Sequence, residues 1–374
     1  MTFGLIDHVP SYNTIDNWVR KCGLDEIKHT PDVLKGIDYA AILDECMMIG
    51  SEKLLPVLAV PAEHQGRPLR PEDVKVIGLH VKSSWNAKTV SEVLKADVET
   101  VKKSPEYVIT DNGSTMHKGV EISGYTWHRD ISHTLAMYME RTYKNDVEFV
   151  EFYKKMAIGM KQFCMKEVAY LQPPSQRTKA RFMNISFSID WADKMLQLFP
   201  KFSEYERKVF SYIPQYASFI NEIKEMVSCI QFIETEMKYH GLSKKSISIC
   251  KRHVITSIMC GNNRMRKVGQ EILAYLSKEE LLLKDDKVIN NSSDIIESFF
   301  GTFKYKQSPN KLNGVTALAL HLPVILAFNG DYVSENYNIK KRLCRTKIKD
   351  INLWKNENLL ENLVAKRIRT MKTA

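Results

Sequence analysis

The sequence predicts an α/β protein whose mixed β-sheet core is interrupted by a large all-helical insertion. The first observation is that residues 38–130 contain short apolar runs of strand length, separated by turn residues and helix-period segments. The second is that residues 131–287 contain long stretches with helical periodicity and no strand-like alternation. A short helix with acidic residues then follows at 292–304. The helical region therefore lies within the core in chain order.

Composition indicates a soluble globular protein, because 44% of the 374 residues are hydrophobic and 26% are charged. This length is sufficient for two or three domains. The longest apolar run, residues 317–328, contains His321 and Pro323 and is too short to cross a bilayer.

The start of the chain lacks the features of a secretory signal, and the seven cysteines form no Cys-x-x-Cys pair. We therefore expect a cytoplasmic protein with reduced thiols and no membrane partner.

The chain is basic, with 54 Lys and Arg against 44 Asp and Glu, a formal charge of +10. Such a charge favours association with a polyanion, and nucleic acid is the polyanion that we expect. The alternative is a basic protein whose charge serves only solubility.

The first helix signal covers residues 10–24, with Ser11 as its cap and Gly23 as its predicted end. Ile15, Trp18 and Val19 would form its apolar face. The segment resembles the last helix of a helix-turn-helix, but the preceding residues are too few to hold the other helices. We therefore predict a remnant of a DNA-binding region or a linker helix.

Residues 38–81 contain three strand-like runs, with a tight turn near Gly50 between the first two. An amphipathic helix over residues 89–103 follows. A strand over 107–110, a short helix near 116–122 and a strand that ends at Asp130 complete the series. Three strands, helix, strand, helix and strand are the order of a ribonuclease-H-like core.

The insertion is predicted to consist of helices at 131–143, 147–171, 185–199, 205–239, 243–259 and 265–276. It contains a proline-punctuated basic loop with Arg177, Lys179 and Arg181, which could contact DNA phosphates or serve as a solvated connector. The predicted domains are 1–35 (helix-turn-helix remnant and linker), 36–133 (first part of the core), 134–287 (helical insertion), 288–335 (completion of the core) and 336–374 (basic helical tail).

Three acidic residues have the distribution expected of a metal site, one on a strand, one after a strand and one on a late helix. Asp111 ends the strand 107–110 in an Asp-Asn-Gly sequence, although the same tripeptide is also suited to a simple turn. Asp44 lies on the first strand, and Glu297 lies one turn into the capped helix 292–304. The other face of this helix, with Ile295, Phe299 and Phe303, is predicted to anchor it to the core.

With these residues identified, the chain resembles the DDE-type transposases of bacterial insertion sequences, whose catalytic domain is ribonuclease-H-like. The resemblance is most specific at Ile109-Thr-Asp111-Asn-Gly, Asp130-Ile-Ser-His133, Lys179-Ala-Arg-Phe-Met-Asn184 and Ser293-Asp-Ile-Ile-Glu297. A helical insertion before the last acid is also similar to hAT and Mutator-like transposases, which share a pair of the Cys/Asp-x-x-His type.

The resemblance implies that Asp44, Asp111 and Glu297 bind two Mg²⁺ ions, for which Mn²⁺ can substitute. Asp38 and Glu45 lie near Asp44, so the identity of the first acid stays open. Mg²⁺ prefers oxygen ligands, and two such ions about 3.5 to 4 Å apart can stabilise both the attacking and the leaving oxygen.

The resemblance also suggests roles for residues around these acids. Asp130 and His133 would support the active site, or would be a helix cap and a hydrogen-bonded first-turn residue. Trp191 would stack on a flipped base, or would be a core residue of an amphipathic helix.

The implied function is transposition: metal-dependent cleavage at element ends followed by strand transfer to target DNA. The implied partner is double-stranded DNA at both element ends and target, bound by a homo-oligomer in the cytoplasm at the bacterial nucleoid. Two alternatives are a stand-alone nuclease on the same core and an inactive or truncated DNA-binding protein derived from a transposase.

Overall fold

The computed structural model describes residues 9–43, 47–163, 167–175, 182–284, 286–306, 314–328 and 338–373. The chain divides into two compact units. Unit 1 comprises Met1–Asp130 and Asn291–Ala374, and unit 2 comprises Ile131–Asn290. Unit 1 is therefore assembled from two segments that are far apart in the chain.

Unit 1 contains a mixed sheet of six strands, which confirms the predicted α/β class and the mixed sheet. The strands are β1 (Tyr39–Leu43), β2 (Met47–Ile49), β3 (Glu52–Pro61), β4 (Lys75–Lys82), β5 (Val108–Thr110) and β6 (Trp127–Arg129). β3 pairs antiparallel with β1, β2 and β4, whereas β1–β5 and β5–β6 are parallel pairs. The predicted turn at Gly50 is confirmed, and its φ of 64° suits glycine.

The helices of unit 1 come from both ends of the chain. The first group is α1 (Tyr12–Leu34), α2 (Ala87–Val101) and α3 (Ser114–Ser123). In unit 2 follow α4 (Ile131–Tyr143), α5 (Val147–Phe163), α6 (Ile185–Leu198), α7 (Glu204–Val209), α8 (Ala217–His240), α9 (Lys244–Ser257) and α10 (Asn263–Leu282). Unit 1 resumes with α11 (Asp294–Lys306), α12 (His321–Phe328), α13 (Ile339–Arg345), α14 (Ile348–Asn358) and α15 (Leu363–Thr373).

Helix α2 illustrates how local sequence forms the elements of unit 1. Asn86 caps its start by accepting a hydrogen bond from the Thr89 N–H, and Lys102 ends it in the left-handed conformation. Its apolar stripe, which includes Val90 and Leu94, is buried in one core with β1, β3 and β5. The helix thus covers one face of the sheet near the parallel strands.

Helix α1 differs from its prediction. Ser11 caps it as expected, but Gly23 does not end it, and the helix continues to Leu34. A Cβ atom at Gly23 would lie 1.7 Å from the Leu320 carbonyl oxygen. Glycine is therefore required for the close approach of another backbone. The predicted apolar face is also wrong, because Ile15 and Trp18 are 45% and 41% exposed.

Polar contacts fix α1 to the C-terminal helices of unit 1. The Asp16 carboxylate accepts a hydrogen bond from His321 Nε2 at 2.8 Å, and Arg342 lies 3.2 Å from the fully buried Asp25 carboxylate. Both contacts join residues more than 300 positions apart. Helix α1 is consequently attached to α12 and α13.

Unit 2 consists of helices in the parts that the structure describes, apart from 3-10 turns and one isolated bridge between Leu242 and Ile289. The predicted continuous helix 205–239 is wrong, because it is divided into α7 and α8 at a 3-10 turn that begins with Pro214. The described part of the segment predicted as helix 147–171 is helical only to Phe163 and then forms a 3-10 turn at Ala169–Leu171.

A charged cluster joins the helices of unit 2. The Arg264 guanidinium contacts the carboxylates of Asp146, Glu148 and Glu222 at 3.0, 2.9 and 2.5 Å. The Tyr143 hydroxyl donates a hydrogen bond to Glu222 at 2.6 Å. Burial opposes the charge on Arg264, but hydrogen bonds to the three carboxylates outweigh it and raise the pKa of this group. The cluster satisfies the buried Glu222 and ties α4, α8 and α10 together.

We predict that Gly23→Ala destabilises unit 1 by about 1–3 kcal/mol, the usual cost of overpacking. The new methyl group has to displace the Leu320 backbone, which cannot move as a side chain does. Gly36→Ala is the matched control, because no atom lies within 4 Å of a Cβ at Gly36. Urea denaturation of both variants measures the difference, and equal stabilities would contradict the close packing of α1.

Candidate active site

The carboxyl ends of three parallel strands meet at one edge of the sheet in unit 1. Thr110, the last residue of β5, is in register with Leu43 of β1 and with Arg129 of β6. The residues that follow parallel strands in an open α/β sheet lie where ligands commonly bind. This edge is therefore the candidate active site.

Asp111 directly follows β5 at this edge and is half-buried. One of its carboxylate oxygens accepts a hydrogen bond from the Gly113 N–H at 3.1 Å, just before α3 begins. A Cβ at Gly113 would approach this oxygen to 3.0 Å. The Asp-Asn-Gly sequence thus forms a local turn that also orients the carboxylate.

An aromatic cluster stands beside Asp111. The Trp127 indole N–H donates a hydrogen bond to the Thr110 hydroxyl at 2.8 Å, and the Thr110 hydroxyl donates to the Asp111 carbonyl at 2.8 Å. His117 stacks on the Trp127 ring at 3.8 Å, and the Arg129 guanidinium lies 5.2 Å from the ring centroid. No local sequence pattern indicates this cluster, because its members come from β5, α3 and β6.

Asp130 follows β6 and is fully buried. Its backbone N–H donates to the Thr110 carbonyl at 2.9 Å, which extends the pairing of β5 and β6. One of its carboxylate oxygens accepts two hydrogen bonds from Ser293, from the backbone N–H at 2.6 Å and from the hydroxyl at 2.9 Å. Asp130 therefore holds the residue that immediately precedes α11 against the sheet edge.

Helix α11 carries two acids in its first turn, Asp294 and Glu297. Glu297 is exposed and Asp294 is half-buried. The predicted anchoring face is confirmed, because Ile295, Phe299 and Phe303 are 9%, 3% and 1% exposed. Packing of this face fixes the helix and leaves the Glu297 side chain accessible.

The structure relates the predicted acids only in part. Asp111 and Glu297 both belong to unit 1, whereas Asp44 lies outside the described residues. Among the described residues, no three His, Cys, Asp or Glu side chains form a group that could hold a metal ion. The shared edge and the Asp130–Ser293 contact are the observed links between the segments that carry Asp111 and Glu297.

The other predicted site residues belong to unit 2. His133 is in the first turn of α4 and is half-buried. Trp191 on α6 is also half-buried; its indole N–H donates to the Leu171 carbonyl at 3.1 Å, and its ring packs edge-on against Phe210. Arg177, Lys179 and Arg181 lie outside the described residues.

Two further observations bear on the class of protein. None of the helices in the described ranges is long and apolar enough to cross a membrane. The chain matches no protein-family model and no curated protein. The chemistry of the site is therefore inferred from its own residues.

We predict that Asp130→Ala destabilises the protein by about 2–4 kcal/mol, since it leaves two buried donors of Ser293 unsatisfied. Ser293→Ala removes only the hydroxyl bond and should cost about 1 kcal/mol. Urea denaturation of both single variants and the double variant gives their coupling energy. Additive effects in this cycle would contradict a direct contact between the two side chains.

Proposed function

We propose that this chain is a DDE-type transposase, which cuts DNA at element ends and joins the freed 3′-hydroxyl to target DNA. The observation that carries the proposal is the arrangement at one sheet edge. Asp111 and Asp130 follow adjacent parallel strands, and Asp130 holds the start of the helix that bears Glu297. The contact between Asp130 and Ser293 thus attaches the helix that bears Glu297 to the sheet edge that bears Asp111.

We further propose that the sheet is a ribonuclease-H-like core. Its support is the topology, in which β1, β3 and β4 are antiparallel neighbours and β5 and β6 extend the sheet in parallel from β1. The connections through α2 and α3 lie between the parallel strands in chain order. A 160-residue segment, unit 2, then separates β6 from α11.

The donor types at this edge fit a hard divalent cation, because carboxylate oxygens are the ligands that Mg²⁺ prefers. Asp111 and Glu297, together with Asp44, would hold Mg²⁺ or Mn²⁺ in this proposal. When bound, two such ions supply charge stabilisation at the attacking and leaving oxygens of a phosphodiester.

The chain's own residues prepare this chemistry. Gly113 orients the Asp111 carboxylate by donating its backbone N–H. Asp130 uses one carboxylate oxygen for both Ser293 bonds, and it thereby fixes the position at which α11 begins. The exposed side chain of Glu297 is accessible to a DNA substrate. Such positioning of reacting groups is a major part of phosphoryl-transfer catalysis.

A stand-alone nuclease would use the same edge but would cut without joining. A catalytically inactive DNA-binding relative would do neither. Incubation of element-end DNA with target DNA separates the three functions, because only a transposase yields both cleaved ends and joined products.

We expect Glu297→Gln to reduce the rates of cleavage and joining by two or more orders of magnitude. Glutamine keeps the side-chain shape but removes the negative charge that would hold a metal ion. Bound metal ions stabilise such transition states by several kcal/mol, and a loss of about 1.4 kcal/mol slows the reaction tenfold. Glu357→Gln on α14 is the control, because it removes an exposed carboxylate elsewhere in unit 1. The measurement is Mg²⁺-dependent strand cleavage, with DNA binding followed in parallel by gel shift.

A structural role for Glu297 predicts a different outcome. The melting temperature would then fall, and activity would fall only in proportion to the folded protein. Undiminished cutting by Glu297→Gln would remove this residue from the catalytic set.

DNA binding should weaken steeply with salt, since the chain has a net positive charge and most of this net charge lies in the C-terminal segment. Residues 338–373 contain eleven Lys or Arg and three Asp or Glu, a net of +8 out of +10 for the whole chain. Replacing the exposed Lys366, Arg367 and Lys372 by Gln should reduce the slope of log affinity against log salt by up to about 0.9 per lost phosphate contact.

The matched control replaces Lys154, Lys245 and Lys278, three exposed lysines of unit 2. This control changes the net charge by the same amount but should leave the slope of log affinity against log salt nearly unchanged. Equal slopes for the two triple variants would show that α15 has no special part in binding DNA.

A further inference from the structure

Unit 1 contains a cavity of about 540 Å³, a volume that suits a small organic molecule. Its walls come from α1, from the segment that precedes α12, and from the end of α14 with the turn that follows. The lining includes the polar or charged Arg20, Thr316, Lys355 and Asn356 and the apolar Leu359 and Leu360. Asp111 and Glu297 do not line this cavity.

The guanidinium of Arg20 is held in a fixed orientation in this wall. One oxygen of the Asp16 carboxylate lies 2.5 Å from Arg20 Nη2, and the other accepts a hydrogen bond from His321 at 2.8 Å. Asp16 and His321 are each 9% exposed. A buried carboxylate with two partners, Arg20 and His321, thus holds the arginine in place before any ligand binds.

The Arg20 side chain lines the cavity and is 27% exposed. Its Nε atom is itself buried and has no hydrogen-bond partner within the described ranges, so a ligand in the cavity meets the guanidinium at its exposed part. An anion there interacts with the positive charge and accepts hydrogen bonds from the guanidinium.

The other polar groups of the cavity favour the same kind of ligand. The Lys355 side chain is an exposed cation, and the Asn356 amide and Thr316 hydroxyl can donate hydrogen bonds. The acid in the lining, Glu361, forms an ion pair with Arg369 at 2.8 Å. Its charge is therefore partly neutralised by a neighbour on α15.

The apolar part of the wall, which includes Leu359 and Leu360, indicates that the ligand is larger than an inorganic ion. We propose that this cavity binds an organic phosphate, with the phosphate group held by Arg20 and Lys355 and its organic body against the leucines. Arginine and lysine are the usual partners of phosphate oxygens. The phosphate belongs either to a free mononucleotide or to a phosphodiester of DNA. This site is independent of the cleavage chemistry proposed above.

The test is calorimetric titration of the full chain, without divalent cations, with adenosine 5′-monophosphate and separately with a short DNA duplex. The variants are Lys355→Gln and Arg20→Lys, of which the second keeps a charge that can pair with Asp16 but lacks the planar guanidinium that holds a phosphate with several donors. Lys349→Gln is the matched control, because Lys349 is an exposed lysine of α14 outside the cavity. Thermal melting of each variant shows that it is folded.

We expect saturable binding that Lys355→Gln and Arg20→Lys weaken at least about tenfold and that Lys349→Gln leaves unchanged. An effect seen with the mononucleotide assigns a free nucleotide as the ligand, and an effect seen only with the duplex assigns a DNA phosphate. Three results would overturn the proposal: unchanged affinity for both probes in folded variants, equal weakening by Lys349→Gln, or binding of succinate as tight as that of the mononucleotide. Glu297→Gln serves as a separate reference, because a loss of cleavage there leaves this binding intact.

Discussion

The hydrogen bonds between Asp130 and Ser293 are the constraint on which the candidate active site depends. They join residues 163 positions apart, and both partners are buried. Water cannot readily replace either partner in such an environment, so the two donors of Ser293 remain paired with one carboxylate oxygen. The start of α11 is therefore fixed at the ends of β5 and β6, and the acids of its first turn are fixed with it.

Unit 1 depends on similar long-range contacts elsewhere. The pairs Asp16–His321 and Asp25–Arg342 attach α1 to helices that follow unit 2 in the chain. These contacts involve carboxylates that are at most 9% exposed, whose removal from water has to be offset by a partner. The sheet and its flanking helices are therefore complete only when the segment that follows unit 2 packs against the segment that precedes it.

The proposed phosphate cavity and the sheet edge use the same physical device. In each, a buried aspartate fixes the position of another group that is proposed to meet the ligand. Asp130 fixes the start of α11, and Asp16 fixes the guanidinium of Arg20. A side chain held in this way loses less conformational freedom when a ligand binds, which favours both affinity and catalysis. Asp130 and Asp16 are therefore expected to position other groups and not to contact a ligand themselves.

The sequence by itself determined the α/β class, the Ser11 cap, the turn at Gly50 and the apolar face of α11, because caps, turns and periodicity act over a few residues. It did not determine the length of α1, since Gly23 has the local signature of a helix end and is needed instead for contact with Leu320. The aromatic cluster at Thr110 and the pairing of Asp130 with Ser293 were likewise decided only by the tertiary structure. Their partners come from separate elements, and no local pattern specifies which buried donor meets which buried acceptor.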